Sequence, residues 1–360
     1  MQSKPLRILI SPLDWGLGHA ARCIPVIRQL LETGHIVTLA GSGRSLLLLN
    51  KEFPLIESLE IQGFSPNYPK SGKILLHLLM LLPKFIYSII QEHQQLKKIL
   101  LAQHFDLVIS DNRYGLWNKE VKSILITHQV MVKTPTWLSF TEYIFYLFSR
   151  MMISRFDECW IPDHKPSPGL SGDLSHKYRL PGNAKFIGPL SRFTGLRKVS
   201  KEFSDKLKIT VIISGPEPQR SIFEDLIINQ LSRLNIIASL LSGKPDFEET
   251  VFINNRITVH PHLKTAELES VIADSDLIIC RSGYSSIMDL SVFGSKVLFV
   301  PTPGQTEQVY LAKLHQKSGT ALWRPQNKLN LETDIPEALK YQGFKKTAVA
   351  PLFDATILIV

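Results

Sequence analysis

The sequence predicts two consecutive α/β domains, each built on a doubly wound parallel sheet. Two observations predict this fold class. Short apolar segments of strand length alternate with turns and helix-length segments along the chain. A polar, charged stretch interrupts this alternation at residues 196–207, and the pattern restarts at Lys208. The 360 residues suffice for two domains, which we place at 1–195 and 208–360 with a linker at 196–207.

The N-terminal half begins with a strand and a glycine turn. The apolar run RILIS predicts a strand at 7–11, and a helix is expected near 20–32. The same interpretation predicts further strands in this half, at 36–40, 105–112, 123–129, 157–163 and 186–192. Ligands collect at the carboxyl ends of parallel strands. One crevice is therefore expected to hold the polar residues near those ends: His19, Asp111, Asn112, His128 and Gln129.

The C-terminal half repeats the rhythm. Strands, with their following loops, are predicted at 208–214, 236–243, 257–259, 275–283 and 296–304. Helices are predicted at 222–234, 267–273 and 285–293. No short-period repeat is visible, so two doubly wound domains are the most economical architecture.

Composition and charge narrow the function classes. Hydrophobic residues make up 44% of the chain and charged residues 20%, as in a globular protein. Lysine and arginine outnumber aspartate and glutamate by 41 to 32, which predicts an anionic partner such as nucleotide phosphates or an anionic membrane surface. No zinc finger, RNA-binding aromatic signature or arginine-rich tail is visible, so no nucleic acid partner is expected.

Cysteine spacing and the N-terminus bear on location. Cys23, Cys159 and Cys280 lie far apart without CxxC spacing, and they are predicted to be reduced thiols rather than disulfides or metal ligands. The first apolar run is too short for a signal sequence. We therefore expect a cytoplasmic protein without a bound metal.

Two segments, 73–90 and 136–156, are unusually apolar. Charged residues and a proline interrupt both, so neither offers a clean membrane span. One interpretation is a pair of buried helices packed on the sheet. The other is a partly exposed apolar face that rests on the inner surface of a membrane or accepts a lipid-linked substrate. Several lysines flank the first segment, at positions 70, 73, 84, 97 and 98.

The segment GLGHAAR places Gly16, Gly18 and His19 at the start of the first helix. Glycines let the backbone approach a ligand closely, and free helix N–H groups favour an anion or an oxygen-rich sugar. An imidazole there can remove a proton from a hydroxyl or a water. The alternative is an ordinary tight turn in which His19 only caps or packs. The segment lacks the third glycine and the acidic residue of a dinucleotide fingerprint.

The C-terminal half contains two more specific segments. CRSGYSSIMDL is a loop of small residues opening a helix, and its Ser282, Gly283, Ser285 and Ser286 suit a pyrophosphate, while Asp289 can accept hydrogen bonds from a ribose. PTPGQTEQ ends in a cluster that can bind sugar hydroxyls: Gln305, Glu307 and Gln308. The alternatives are an N-cap for the serines and a solvated helix start for the glutamate and glutamine. Together, at neighbouring strand ends, the two segments predict nucleotide-sugar recognition.

In this order, GLGHAAR, RSGYSSIMDL and PTPGQTEQ resemble the GT-B glycosyltransferases. The resemblance is strongest to the branch of the N-acetylglucosaminyltransferase that builds the undecaprenyl-linked peptidoglycan precursor, and it covers nearly the whole chain. It implies two Rossmann-like domains facing a central cleft, with the acceptor held mainly by the first and the nucleotide sugar by the second. It also implies a UDP-sugar as co-substrate and no metal or other cofactor.

The resemblance further implies individual roles. His19 is the candidate base, and His128 with Gln129 matches a polar strand end near the acceptor. The implied donor positions are Asp289 for ribose, Ser285 and Ser286 for the diphosphate, Glu307 and Gln308 for the sugar, and His262 and Leu263 for uracil.

One loop departs from the family pattern. Close relatives are rich in glycine and serine where this chain has SGPEPQRS, and Pro216 and Pro218 remove N–H donors while Glu217 adds a negative charge. Ser214, Gly215 and Arg220 are the donor-side candidates that this loop retains, with Arg220 supplying positive charge.

The predicted function is an inverting, metal-independent transfer of a hexose or N-acetylhexosamine from a UDP-sugar to an acceptor hydroxyl on a lipid-linked or envelope glycan. The GxGHxxR start is also similar to the nucleotide-sugar hydrolases of nonulosonic acid synthesis, in which the histidine activates water. The prolines of the loop leave open a third alternative, a protein that binds a nucleotide sugar without turnover.

Overall fold

A computed structural model describes residues 4–63, 82–193 and 205–346. The chain divides into two compact units, with the boundary between Arg192 and Phe193. The N-terminal unit comprises the described residues up to 192, and the C-terminal unit the described residues from 193 onward. The predicted linker lies almost entirely outside the described residues, so the predicted domain limits stay a prediction.

The N-terminal unit contains a parallel sheet in the order β3-β2-β1-β4-β5-β6-β7. Its strands are β1 (Arg7–Pro12), β2 (Ile36–Gly41), β3 (Ser58–Glu60), β4 (Leu107–Asp111), β5 (Lys122–Ile126), β6 (Glu158–Ile161) and β7 (Ala184–Phe186). Every residue of β4 is buried, as expected for a parallel sheet that is covered on both faces. The order of strands reverses between β1 and β4, which are neighbours in the sheet, and such a switch point is where this architecture binds ligands.

Helices cover this sheet. They are α1 (Leu17–Glu32), α2 (Gly43–Glu52), α3 (Leu82–Ala102), α4 (Thr141–Ile153) and the short α5 (Asp173–His176), with a 3-10 turn at Thr136–Leu138. One apolar cluster includes Leu9 and Val108 of the sheet together with Leu96 of α3. A second cluster joins Leu125 of β5 to Ile89 of α3 and Tyr146 of α4. Both α3 and α4 therefore belong to the core of this unit.

The C-terminal unit repeats the plan with a sheet in the order β10-β11-β9-β8-β12-β13-β14. Its strands are β8 (Lys208–Ile212), β9 (Ile237–Leu241), β10 (Val251–Asn254), β11 (Ile257–His260), β12 (Leu277–Cys280), β13 (Val297–Phe299) and β14 (Leu322–Trp323). All pairs are parallel except β10 with β11. Here the strand order reverses between β8 and β12.

The helices of the C-terminal unit follow the strands in the same alternation. They are α6 (Gln219–Leu231), α7 (Thr265–Asp274), α8 (Tyr284–Phe293), α9 (Thr306–Lys317) and α10 (Leu331–Ala338), with a 3-10 turn at Gln326–Lys328. Ile209 and Val211 of β8, Phe223 of α6 and Ile335 of α10 meet in one buried cluster. The predicted fold class, two doubly wound α/β units, is thus confirmed.

Several predicted bounds are wrong in detail. The strand predicted at 186–192 ends at Phe186, because Gly188 has a φ of 83° and Pro189 follows it, so the chain leaves the sheet. The first helix begins at Leu17 rather than near Ala20, which places His19 inside its first turn. All three cysteines are free and buried.

The apolar segment at 136–156 is not wholly buried. Helix α4 buries Tyr146, Met152 and Ile153 in the core, while Tyr143 and Ile144 are exposed on its other side. No helix in the described ranges combines the length and the apolar character needed to cross a membrane. Residues 73–81 of the other apolar segment lie outside the described residues.

Candidate functional site

The glycine turn leads from β1 into the first turn of α1, beside the carboxyl end of β4. Pro12 of β1 pairs with Asp111, the last residue of β4, and the Leu13 N–H donates to the Asp111 carbonyl oxygen at 3.0 Å. Gly16 is the exposed N-cap of α1, and no side chain caps the helix start. The N-terminal positive end of a 16-residue helix is therefore open at the switch point.

His19 and Asp111, both predicted from strand ends, are in direct contact. The His19 Nδ1 lies 2.6 Å from the Asp111 Oδ1. Arg22, one helical turn after His19, donates from Nη2 to the Asp111 Oδ1 at 2.6 Å and from Nε to the Asp111 Oδ2. Asp111 is fully buried and Arg22 is 1% exposed, whereas the His19 side chain is 19% exposed. One buried carboxylate thus holds both a guanidinium and an imidazole.

The charges determine the tautomer of His19. Burial alone would raise the pKa of Asp111, but Arg22 and His19 outweigh it and lower that pKa, so the carboxylate is ionised. The Arg22 Nη2 also lies 3.0 Å from the His19 Nδ1, but the contact with the ionised Asp111 carboxylate is shorter, at 2.6 Å, and needs a donor. The His19 Nδ1 therefore carries the proton and Nε2 carries the lone pair. Burial and the nearby Arg22 cation lower the pKa of His19, and Asp111 opposes them only in part.

The neutral His19 ring can act as a base through its second nitrogen. No hydrogen bond to the His19 Nε2 is found within the described part of the chain. A neutral imidazole with a free lone pair, oriented by a carboxylate, is the arrangement that general-base catalysis needs.

Three further predicted residues surround this pair at the ends of β4 and β5. Arg22 donates from Nη1 to the buried His128 Nδ1 at 3.0 Å, so His128 is linked to Asp111 through the same guanidinium. Asn112 has a φ of 58°, and its Oδ1 accepts from the Thr127 hydroxyl at 2.9 Å. The Gln129 N–H donates to the same hydroxyl at 3.1 Å. The structure therefore brings the predicted acceptor-side residues to one edge.

A second buried network supports the glycine turn. The Asp14 carboxylate accepts from the Ser42 hydroxyl at 2.8 Å and from the Ser42 N–H at 3.2 Å, which ties the turn to the start of α2. Arg113 lies 3.6 Å from Asp14 and donates to Glu92 of α3 at 3.0 Å. Burial raises the pKa of Glu92 even though Arg113 opposes this effect. The turn is thus connected to α3 through an ion-pair network.

In the C-terminal unit the small-residue loop and α8 follow β12. Gly283 is the N-cap of α8, no side chain caps this helix, and Ser285 and Ser286 are half-buried in its first turn. The Ser282 hydroxyl is buried and donates to the Gln308 carbonyl oxygen at 2.8 Å, so it joins two loops. Asp289 is 7% exposed on α8.

The PTPGQTEQ segment leads from β13 into α9. Gln305 is the N-cap of α9 without a side-chain cap bond, and Glu307 lies half-buried in its first turn. The Gln308 Oε1 accepts from the Thr302 N–H at 2.8 Å, which fixes its side-chain amide with Nε2 as the remaining donor. The predicted sugar-binding residues therefore lie at the start of α9, where the Gln308 side-chain amide is hydrogen-bonded to the preceding loop.

Arg220 was predicted to supply positive charge to the donor, but the structure pairs it with carboxylates. The Arg220 guanidinium is buried and donates to Glu217 at 2.7 Å and to Glu224 at 2.9 Å, so carboxylates of the same unit already balance its charge. Burial raises the pKa of Glu217, but Arg220 and Ser221 outweigh it and lower that pKa. Ser214 is half-buried and Gly215 is exposed with a φ of 108°, a conformation that favours glycine.

His262 and Leu263, the predicted uracil contacts, are half-buried in the loop between β11 and α7. This loop follows a strand of the same parallel set, so it lies at the carboxyl edge with the other donor-side loops.

Two arginines of the site, Arg22 and Arg281, were not predicted from the sequence. The signal for Arg22 was its spacing from His19, because residues three apart on a helix share a face. Arg281 stands inside CRSGYSSIMDL but is fully buried, and a loop arginine gives no sequence signal for that.

Comparisons with known proteins agree with this geometry. Residues 226–350 match the glycosyltransferase family 28 C-terminal domain. The chain is 24% identical over 333 residues to an uncharacterized glycosyltransferase of Methanosarcina acetivorans, covering 87% of this chain and 84% of that protein. It is 22% identical over 324 residues to a UDP-N-acetylglucosamine–N-acetylmuramyl-(pentapeptide) pyrophosphoryl-undecaprenol N-acetylglucosamine transferase of Buchnera aphidicola, covering 84% and 80%.

Solved structures match over nearly the full chain. Arabidopsis thaliana UGT89C1 complexed with UDP-L-rhamnose superposes with a TM-score of 0.57 at 14% identity, covering 94% of this chain and 92% of that one. The spinosyn rhamnosyltransferase SpnG complexed with thymidine diphosphate gives a TM-score of 0.58 at 14% identity, covering 94% and 93%. At these identities the superpositions show a shared fold, the GT-B fold, and the sequence relatives and the family match show that the chain is similar to glycosyltransferases.

Proposed function

We propose that the chain is an inverting, metal-independent glycosyltransferase that moves a hexose or N-acetylhexosamine from a UDP-sugar to an acceptor hydroxyl. One observation carries the proposal: His19 presents an unbonded Nε2 while a buried carboxylate holds its other nitrogen at 2.6 Å. A histidine that only caps or packs would not need an ionised partner in the core.

In the proposed reaction the His19 Nε2 takes the proton of the acceptor hydroxyl as its oxygen attacks the anomeric carbon. The bond from that carbon to the diphosphate oxygen breaks, and UDP leaves with the electron pair. Attack from the face opposite the leaving group inverts the anomeric centre. Asp111 stabilises the imidazolium that forms, because its carboxylate already contacts the Nδ1 proton.

The donor is assigned to the C-terminal unit. The starts of α8 and α9, which have no side-chain cap bond, direct the positive ends of their helix dipoles toward the diphosphate, with Ser285 and Ser286 as nearby hydroxyls. Asp289 is assigned to the ribose, and Glu307 and Gln308 to the sugar. The relative whose name includes UDP-N-acetylglucosamine supports a UDP-sugar as the donor.

The acceptor is proposed to be lipid-linked or an envelope glycan, at the inner face of a membrane. An apolar surface on the N-terminal unit supports this. Its exposed members lie on α3, on α4 and in the segment 136–140 before α4: Ile86, Tyr87, Ile90, Trp137, Phe140, Tyr143, Ile144, Leu147 and Met151. Arg150 and Arg155 are exposed beside it, which suits anionic lipid headgroups.

The apolar surface is connected to the catalytic turn. Trp15, immediately before Gly16, packs edge-on against Phe85 of α3 with ring centroids 6.1 Å apart. Glu92 of α3 reaches the same turn through Arg113 and Asp14. A lipid-linked acceptor bound on α3 would thus lie near the elements that hold His19.

The activity is tested by UDP release from a panel of UDP-sugars, with and without a membrane lipid extract. We expect release that depends on the extract, and His19→Ala is expected to lose turnover while it still binds UDP. Release at the same rate without any acceptor would instead assign a hydrolase that activates water. UDP binding without turnover on any donor would overturn the enzymatic proposal.

The membrane part is tested separately by sedimentation with vesicles of phosphatidylglycerol and phosphatidylcholine. Ile144→Glu with Leu147→Glu should reduce vesicle binding, because both side chains are exposed on α4. Leu55→Glu is the matched control, since Leu55 is a 98% exposed apolar residue outside this surface. Equal binding by the wild type, the double variant and the control would remove the membrane from the proposal.

A further inference from the structure

Arg281 is a buried cation in the loop between β12 and α8. It is 0% exposed, and its guanidinium stacks on the Phe223 ring with Cζ 4.0 Å from the ring centroid. Its Nη1 donates to the Val300 carbonyl at 2.9 Å and to the Pro301 carbonyl at 3.2 Å. Its Nη2 donates to the Gln219 carbonyl at 3.0 Å. One side chain therefore connects the loops that follow β8, β12 and β13.

The charge of Arg281 has no carboxylate counterion among the described residues. Within the residues that the structure describes, its polar contacts are the carbonyl oxygens just named, and no carboxylate forms an ion pair with it. Burial lowers the pKa of Arg281 to about 9. Arg220 of the same unit, by contrast, has two carboxylate partners. Burying an unpaired cation costs free energy, and a bound anion would offset that cost.

Unsatisfied polar atoms gather around the same side chain. The Arg281 Nε, the Gln219 Oε1 and the Thr302 Oγ1 are all buried and lack a hydrogen-bond partner among the described residues. Thr302 follows the carbonyls that Arg281 holds, and its hydroxyl lies 3.5 Å from where a Cβ on Gly215 would stand. Buried polar atoms are usually paired, so this layer retains hydrogen-bonding capacity beneath the three loops.

We propose that Arg281 is a positioning residue for the donor diphosphate: it holds the three loops of the β8/β12 switch point together and supplies the uncompensated positive charge that favours an anion there. This inference rests on the function proposed above. Arg281 is too deeply buried to contact the ligand directly, so it acts by positioning the loops that lead into α8 and α9 and through its field, which a low-dielectric interior screens little.

The distinguishing measurement compares UDP with uridine, because only UDP carries the anion. Calorimetric titration of the full chain should show that Arg281→Met weakens UDP binding at least about tenfold, or 1.4 kcal/mol, while uridine binding changes less than about twofold. Arg281→Lys keeps the charge but not the forked contacts, so its preference for UDP over uridine should lie between those of the wild type and Arg281→Met.

Arg324→Met is the matched control. Arg324 belongs to the same unit, but its guanidinium pairs with Asp334 and Glu337. Its loss should leave the UDP to uridine ratio unchanged. If Arg281→Met does not fold, Arg281→Lys carries the same comparison.

Two results would overturn the inference. One is an equal loss of UDP and uridine affinity in the Arg281 variants, because that would show a merely structural role. The other is no change in either affinity. Failure of the wild type to bind UDP would instead refute the function on which the inference rests, so the two failures are distinguishable.

Discussion

Replacing Asp111 by asparagine tests the proposed base most directly, because it changes charge with little change in shape. The asparagine keeps an oxygen that Arg22 can bond, so its amide nitrogen should turn toward His19. An amide N–H donates to Nδ1 and so favours the tautomer with the proton on Nε2. His19 would then have no lone pair where the acceptor hydroxyl arrives. General-base catalysis is worth about 10²–10⁴-fold, which is the expected loss in kcat/KM.

The same substitution has a cost in stability that must be separated from catalysis. Arg22 is 1% exposed, so it would stay buried with its charge unbalanced. Removing one partner of a buried ion pair costs about 3–5 kcal/mol, and the retained oxygen places the expected loss near about 3 kcal/mol. Thermal unfolding followed by circular dichroism measures this loss, and activity is then compared at a temperature where both proteins are folded.

The pH dependence of kcat/KM tests the assignment of His19 independently. The base must be neutral, and the pKa of His19 lies below its ordinary 6.5, so the acidic limb of kcat/KM in the wild type should lie below pH 6.5. Asp111 is the group that raises this pKa, against burial and Arg22. In the asparagine variant the limb should therefore move to still lower pH while the plateau falls.

Asp163→Asn is the control for this prediction. Asp163 is also fully buried and accepts hydrogen bonds from the N–H groups of Leu170 and Ser171, but it has no contact with His19. Its variant should lose stability and keep the wild-type pH profile. An Asp111→Asn protein with kcat/KM within about threefold of the wild type and an unmoved acidic limb would refute the assignment of His19.

Three further changes have defined outcomes. Arg22→Lys keeps the charge but cannot span Asp111 and His128 at once, so kcat/KM should fall about tenfold, measured by UDP release; an unchanged value would separate Arg22 from the site. Gly63→Ala places a Cβ 2.9 Å from the Arg113 Nη2, so it should cost about 1–3 kcal/mol in urea unfolding, whereas Gly182→Ala, with nothing within 4 Å, should cost far less. Thr302→Val removes a buried hydroxyl that has no hydrogen-bond partner among the described residues, so it should raise the melting temperature; a lower melting temperature would show that the hydroxyl is in fact paired.

The interior strands could be predicted because parallel strands covered on both faces are short apolar runs. β4 and β12 are buried at every residue, and both were predicted. Two of the edge strands, β3 and β10, were missed because strands at a sheet edge are less buried. β3 and β10 are mainly exposed, so their sequences carry no continuous apolar signal. Helix α2 was hidden by the glycine that begins it.

The candidate site likewise has parts that could be predicted from the sequence and parts that could not. His19 and Asp111 were placed at one edge because the carboxyl ends of parallel strands share an edge, and the structure brings them to 2.6 Å. The prediction for Arg220 considered its charge but not the carboxylates that can pair with it. Glu217 and Glu224 stand three and four positions from it, at the spacing at which helix side chains pair, and they neutralise the cation that was predicted for the donor. The burial of Arg281 depends on three loops that only the fold brings together.

The two switch points use arginine in opposite ways, and this difference fits the two chemical tasks. At the β1/β4 switch point Arg22 is matched by Asp111, and Arg113 is matched by Glu92. These pairs cancel charge and leave a neutral imidazole, which a base acting on a hydroxyl requires. At the β8/β12 switch point the contacts of Arg281 within the described ranges are carbonyl oxygens and a ring, so the positive field remains. A neutral edge suits an uncharged acceptor hydroxyl and a positive edge suits a departing diphosphate, so this charge pattern supports the proposal that acceptor and donor bind to different units.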